Sequence, residues 1–115
     1  MAYQRVADLA DVAIGTAHQV HVGGEPVAVV RVDAETVKAV HDTCSHAQFS
    51  LSEGWVEDNQ IECALHGSSF DLDTGRPLSL PAFKPVPVYG CEVRDDAIWV
   101  DPDEQRNDAP VPRHF

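Results

Sequence analysis

Residues that favour a pleated surface, among them Val, Ile, Tyr and Thr, come in this chain as short runs cut by Gly, Pro or Asp at intervals of roughly eight to twelve residues. That rhythm leaves little room for helix and predicts an all-β chain, built as a sandwich or small barrel of antiparallel strands. Tyr3 to Ala7 reads as the first strand and Asp8 to Val12 as a turn. Gln19 to Val22 and Val27 to Val32 face each other across Gly23-Gly24, a pair suited to the positive φ angles of a tight hairpin. Glu35 to His41 follows the Asp33-Ala34 turn. Val86 to Tyr89, Cys91 to Arg94 and Ala97 to Val100 read as a late meander turning at Asp95-Asp96. Between the early and late strands lies a segment of about 42–84, with short strands near Gln60 to Cys63 and Ser69 to Leu72. It reads as a subdomain inserted into a base of 1–41 and 85–101. The proline-rich, polar stretch 102–115 has little to bury and reads as a loosely held tail. One domain of 115 residues suits a chain that is 43% hydrophobic.

Charge and targeting signals narrow the function. Nineteen acidic residues against eight basic ones repel phosphates and anionic head groups, which disfavours a nucleic-acid or membrane-surface role. The first twenty residues lack a basic region followed by an apolar run, and no stretch approaches the ~18 apolar residues of a membrane span. A soluble, cytoplasmic protein is expected, and a monomer. In a reducing cytosol the three cysteines, 44, 63 and 91, make a poor disulfide framework. Two of them stand beside histidines, as Cys44-Ser45-His46 and as Cys63-Ala64-Leu65-His66, with sixteen residues between the pairs. A hairpin spanning that gap can bring two short loops together, each offering one thiolate and one imidazole. Zinc accepts such a set, but its fingers usually pair Cys with Cys and His with His. Mixed loops suit a two-iron cluster in which one iron takes both thiolates and the other both imidazoles.

The C-x-H and C-x-x-H pair resembles the Rieske motif. Phe70-Asp71 with Thr74-Gly75 is similar to the F-D-x-x-T-G that follows the second loop in many members of that family, and Leu80-Pro81-Ala82 resembles the proline loop that covers the cluster. The resemblance runs from about residue 3 to 101. It implies a Rieske iron-sulfur fold of three antiparallel sheets, with a cluster-binding subdomain at one tip of the base. It also implies one 2Fe-2S cluster, with Cys44 and Cys63 on the inner iron, His46 and His66 on the outer iron, and Gly67, Ser68 and Pro81 around them. Two neutral imidazoles in place of two thiolates remove negative charge from the cluster, so an added electron meets less repulsion.

Among Rieske proteins, respiratory subunits carry a membrane anchor and oxygenase large subunits a further catalytic domain with its own iron. Neither pattern is visible here, so the resemblance implies a ferredoxin that takes single electrons from an NADH-dependent flavoprotein reductase and hands them to a ring-hydroxylating terminal oxygenase. It has no substrate of its own. The alternatives are a small subunit of an assimilatory nitrite reductase and a structural zinc-binding module. High-potential members of the family carry an extra Cys in each loop, where this chain has Phe49 and Leu65, and a Tyr where it has Phe70. With Ser68 as the one remaining hydroxyl donor, the expected midpoint lies below ~0 mV, in the lower half of a range running from roughly −150 to +300 mV.

The other candidates read as ordinary. His18 and His21 share an H-x-x-H spacing that sends the rings to opposite faces of a strand, so they are assigned to the surface. His41 ends a strand beside the first loop with no special role expected, His114 lies in the tail, and Cys91 is expected to pack as a small hydrophobe. Trp55 and Trp99 are assigned to the core or the sheet surface. From residue 41 to 84 there are seven acids and two bases, a net charge of −5 that would steer a basic partner toward the subdomain.

Overall fold

The structure, a computed structural model, describes residues 3–43, 50–64, 68–78 and 85–107. Nine strands and two single-turn 3-10 segments make up the regular structure of these residues. The strands are β1 (Gln4–Asp8), β2 (Thr16–Val22), β3 (Glu25–Arg31), β4 (Val37–His41), β5 (Trp55–Glu57), β6 (Gln60–Glu62), β7 (Ser69–Asp71), β8 (Val88–Arg94) and β9 (Ala97–Gln105). All pairings are antiparallel, in a six-stranded sheet ordered β1-β9-β8-β4-β3-β2 and a three-stranded sheet β5-β6-β7. The larger sheet comprises two triplets, β1-β9-β8 and β4-β3-β2. They meet at a seam of only two residue pairs, Ala39↔Tyr89 and Val40↔Val88. The resemblance implies three antiparallel sheets; the described residues form two, because the two triplets of the base join at this seam.

Local sequence sets the turns. Gly23 and Gly24 take φ of +60° and +82° between the paired residues Val22 and Glu25, the two-residue loop whose twist matches the flanking strands. The β8–β9 turn uses Asp95 and Asp96, also at positive φ, between Arg94 and Ala97. Aspartate tolerates that region better than bulky or branched residues do.

Period-two alternation then builds two cores. On β3, Val27 and Val29 face one way and join Val22, Val37, Ala39, Tyr89, Ile98 and Val100. Ala28 and Val30 face the other way and join Val40 and Val88, together with Leu51, Ile61, Cys63, Phe70, Leu72 and Val86 from the smaller sheet and its loops. Strand β3 reads as an unbroken apolar run because both of its faces are covered. The second core cements the three-stranded sheet to the base, and Cys63 belongs to it.

Two expectations need correction. The break placed at Gly90 is a bulge within one strand: the register jumps from Gly90↔Asp101 to Tyr89↔Gln105 while β8 continues. The tail assigned to 102–115 begins too early, since β9 runs to Gln105. Asn107 beyond it donates to the carbonyls of Thr74 and Val86, both at 2.8 Å, and accepts the Val88 N–H at 3.1 Å. Polarity misled the reading, because the stretch is held by hydrogen bonds and needs little apolar burial. Of this stretch, 108–115 with His114 lies outside the described residues.

Candidate metal centre

Of the four residues expected to ligate, Cys63 is described. Cys44, His46 and His66 lie outside the described residues, as do Gly67, Pro81, Phe49 and Leu65. Cys63 is fully buried and free of any disulfide. Its N–H donates to the Ser68 carbonyl at 2.7 Å, which closes the foot of the second loop directly after β6. Ser68 is also fully buried.

The first loop is closed in the same manner. Thr43 and Ser50 form an antiparallel bridge on either side of 44–49, and the Leu51 N–H donates to the Asp42 carbonyl at 2.6 Å. Asp42, itself buried, uses both carboxylate oxygens: Oδ1 accepts the Ser52 N–H at 2.7 Å and Oδ2 accepts from Gln19 Nε2 at 2.5 Å. His41 has more of a role than expected. It is fully buried, its Nδ1 accepts the Thr43 N–H at 3.2 Å, and its Nε2 lies 3.6 Å from Glu25 Oε1. The ring therefore braces the residue that opens the first loop.

What brings the two feet together is Gly54. A Cβ there would fall on the carbonyl oxygen of Glu62 and within 3.2 Å of the Ala64 nitrogen. The chain leaving the first loop therefore lies directly on the backbone that flanks Cys63, an approach open to glycine alone. Spacing could not reveal Gly54, Asp42 or Gln19, because their contacts cross strands. A Gly inside the Ser-Glu-Gly-Trp run was the one available sign of close backbone approach.

The donor set fits a His-ligated 2Fe-2S cluster. A four-thiolate cluster would need four cysteines and the chain has three. Cys91 stands elsewhere: partly buried, it packs against the core of Val27, Val29, Ala39 and Tyr89, a different cluster from the one that holds Cys63. Burial pushes its thiol up to about 12, the character of an inert, packed cysteine. His18 and His21 are both exposed on β2, and Trp55 is 61% exposed on the face of the smaller sheet. Trp99 is half-buried under the Arg94 guanidinium, 5.4 Å from its ring.

The same pattern occurs in known proteins. The Rieske [2Fe-2S] domain matches residues 2–90. The ferredoxin component of biphenyl 2,3-dioxygenase from Rhodococcus jostii is 38% identical over 88% of this chain and 94% of its own length. The ferredoxin of carbazole 1,9a-dioxygenase from Nocardioides aromaticivorans superposes with a TM-score of 0.83 at 38% identity, over 89% of this chain and 99% of that one. A solved complex of reduced oxygenase and oxidised ferredoxin in carbazole 1,9a-dioxygenase contains a chain with a TM-score of 0.81 at 37% identity, covering 90% of this chain and 95% of that one. With two closed loops joined at Gly54, a buried Cys63 between them and this match across most of its length, the chain belongs to the Rieske [2Fe-2S] domain family.

Proposed function

We propose that this protein is the ferredoxin component of a ring-hydroxylating dioxygenase system, accepting single electrons from an NADH-dependent flavoprotein reductase and passing them to a terminal oxygenase. The observation that carries the reading is the near-full-length likeness to ferredoxin components of such systems. The cluster, when bound, supplies one reversible electron. Cys44 and Cys63 would hold one iron, and His46 and His66 the other, the pair with imidazole edges nearer the partner. The protein's own part is to hold the feet of the two loops together through Asp42, Gly54 and the Cys63–Ser68 closure, and to bury Cys63 in the core. A fixed, partly dry site leaves little to reorganise when the charge changes. No helix among the described residues is long and apolar enough to cross a membrane.

The readings as a nitrite reductase subunit or a zinc module make different predictions for purified protein. A red-brown chromophore that dithionite bleaches, and that NADH bleaches only when a flavoprotein reductase is added, is expected. Protein-film voltammetry at pH 7 should give a midpoint below ~0 mV. A colourless protein containing zinc, or a midpoint above ~+100 mV, contradicts the proposal.

A further inference from the structure

Outside the ligand loops, the three-stranded sheet shows an outer face with an unusual composition. Trp55 pairs with Glu62, Glu62 with Ser69, and the bridge Phe70↔Pro77 puts Leu78 opposite Ser69. Directly opposite residues point to the same side of a sheet, so Trp55, Glu62, Ser69 and Leu78 form one cross-strand row. The alternate residues Ile61 and Phe70 face the core. Both ends of the row are exposed apolar groups, Trp55 at 61% and Leu78 at 50%. Its middle is next in the chain to the second loop, since Glu62 precedes Cys63 and Ser69 follows Ser68.

A shallow pocket of about 300 Å³ opens at the Trp55 end, walled by the indole and by Glu57, Gln60 and Glu62. Among the described residues neither Glu57 nor Glu62 pairs with a cation, whereas Lys38, Arg94 and Arg106 each carry a carboxylate partner. An exposed indole is costly to leave in water and is the residue type most often found as an interface anchor. An indole beside two free carboxylates offers a stacking plane together with anionic acceptors. A guanidinium fits both at once, because it is planar, stacks on aromatic faces and donates in a fork.

We infer that this row is a docking surface for the terminal oxygenase and that the Trp55 pocket receives an arginine side chain from it. The inference rests on the ferredoxin reading and adds to it a site of contact beside the imidazole-bearing loops. Held there, the partner is registered against a rigid sheet, while the electron leaves through the neighbouring loops.

The test uses cluster-loaded full-length protein, with the oxygenase of carbazole 1,9a-dioxygenase as the binding probe in calorimetry. Trp55→Ala is expected to weaken binding by roughly ten-fold or more, as removal of an interface anchor does. The Glu57→Gln/Glu62→Gln pair should weaken it several-fold and flatten its salt dependence. Ile14→Ala, which removes a comparably exposed side chain outside this face, should leave binding as in the wild type. Wild-type affinity in both pocket variants, with the visible spectrum intact, overturns the docking assignment, as does an equal loss in Ile14→Ala. A wild-type protein without the dithionite-bleached chromophore would instead overturn the ferredoxin reading itself, so the two failures are told apart.

Discussion

Among the described glycines, Gly54 leaves the least room for an added atom. Alanine there would drive a methyl into the Glu62 carbonyl and press on the Ala64 nitrogen, both backbone groups that cannot swing aside. Gly54→Ala should therefore separate the two loop feet and yield protein with markedly less iron and sulfide, while Gly24→Ala, whose Cβ meets nothing and whose φ of +82° strains only the β2–β3 turn, should keep its cluster. Equal iron content in both variants would show that the approach at Gly54 does not set the site. A second prediction at this scale concerns pH. Burial pushes the Cys91 thiol up to about 12, and burial with the Glu25 charge pushes the Tyr89 phenol up to about 12 as well. Between the unfolded values of 9.0 and 10.0 and those raised values, the folded chain keeps protons that the unfolded chain loses. The stabilisation is therefore fully present below pH ~9 and declines as pH rises toward ~12. The urea midpoint should be lower at pH 10.5 than at pH 8, and iodoacetamide at pH 8 should label Cys91 only after unfolding. An unchanged midpoint would contradict the assigned burial.

Among the elements, the segment after β9 ties the smaller sheet to the base. Asn107 joins the Thr74 turn of the smaller sheet to Val86 and Val88 of the base, so its side chain bridges the two parts on either side of 79–84. Asn107→Ala leaves two carbonyls and one N–H to find water, a loss of roughly 1–3 kcal/mol in urea unfolding. A change under ~0.3 kcal/mol would show that water replaces the strap without cost. Sequence could not show this strap, because nothing in Arg-Asn-Asp distinguishes a clamp from solvated loop. The hairpins were legible for the opposite reason: Gly23-Gly24 and Asp95-Asp96 are local signals read locally. Strand β5, Trp55–Glu57, escaped notice because it is defined by its cross-strand pairing with β6. The C-x-H and C-x-x-H spacing is legible in the sequence, and of its four residues the structure describes Cys63. The bracing by His41 and Asp42 was not legible, because it depends on Glu25 and Gln19 arriving from other strands and on Ser52 from the far side of the first loop.

For the whole molecule, charge and cluster chemistry govern behaviour. With a formal net charge of −11, encounter with a basic partner should slow as salt rises from ~10 to ~200 mM, because the screening length falls from roughly 30 Å to under 10 Å. A transfer rate flat across that range would leave apolar contact as the main source of association. The account as a whole stands on a cluster whose two irons have different ligands, two thiolates on one and two imidazoles on the other. Mössbauer spectroscopy of the oxidised, iron-57-loaded protein reads those environments directly. Two doublets of equal area, from two irons per chain, are predicted. A single doublet from equivalent irons, or protein that binds zinc in place of iron, would contradict it.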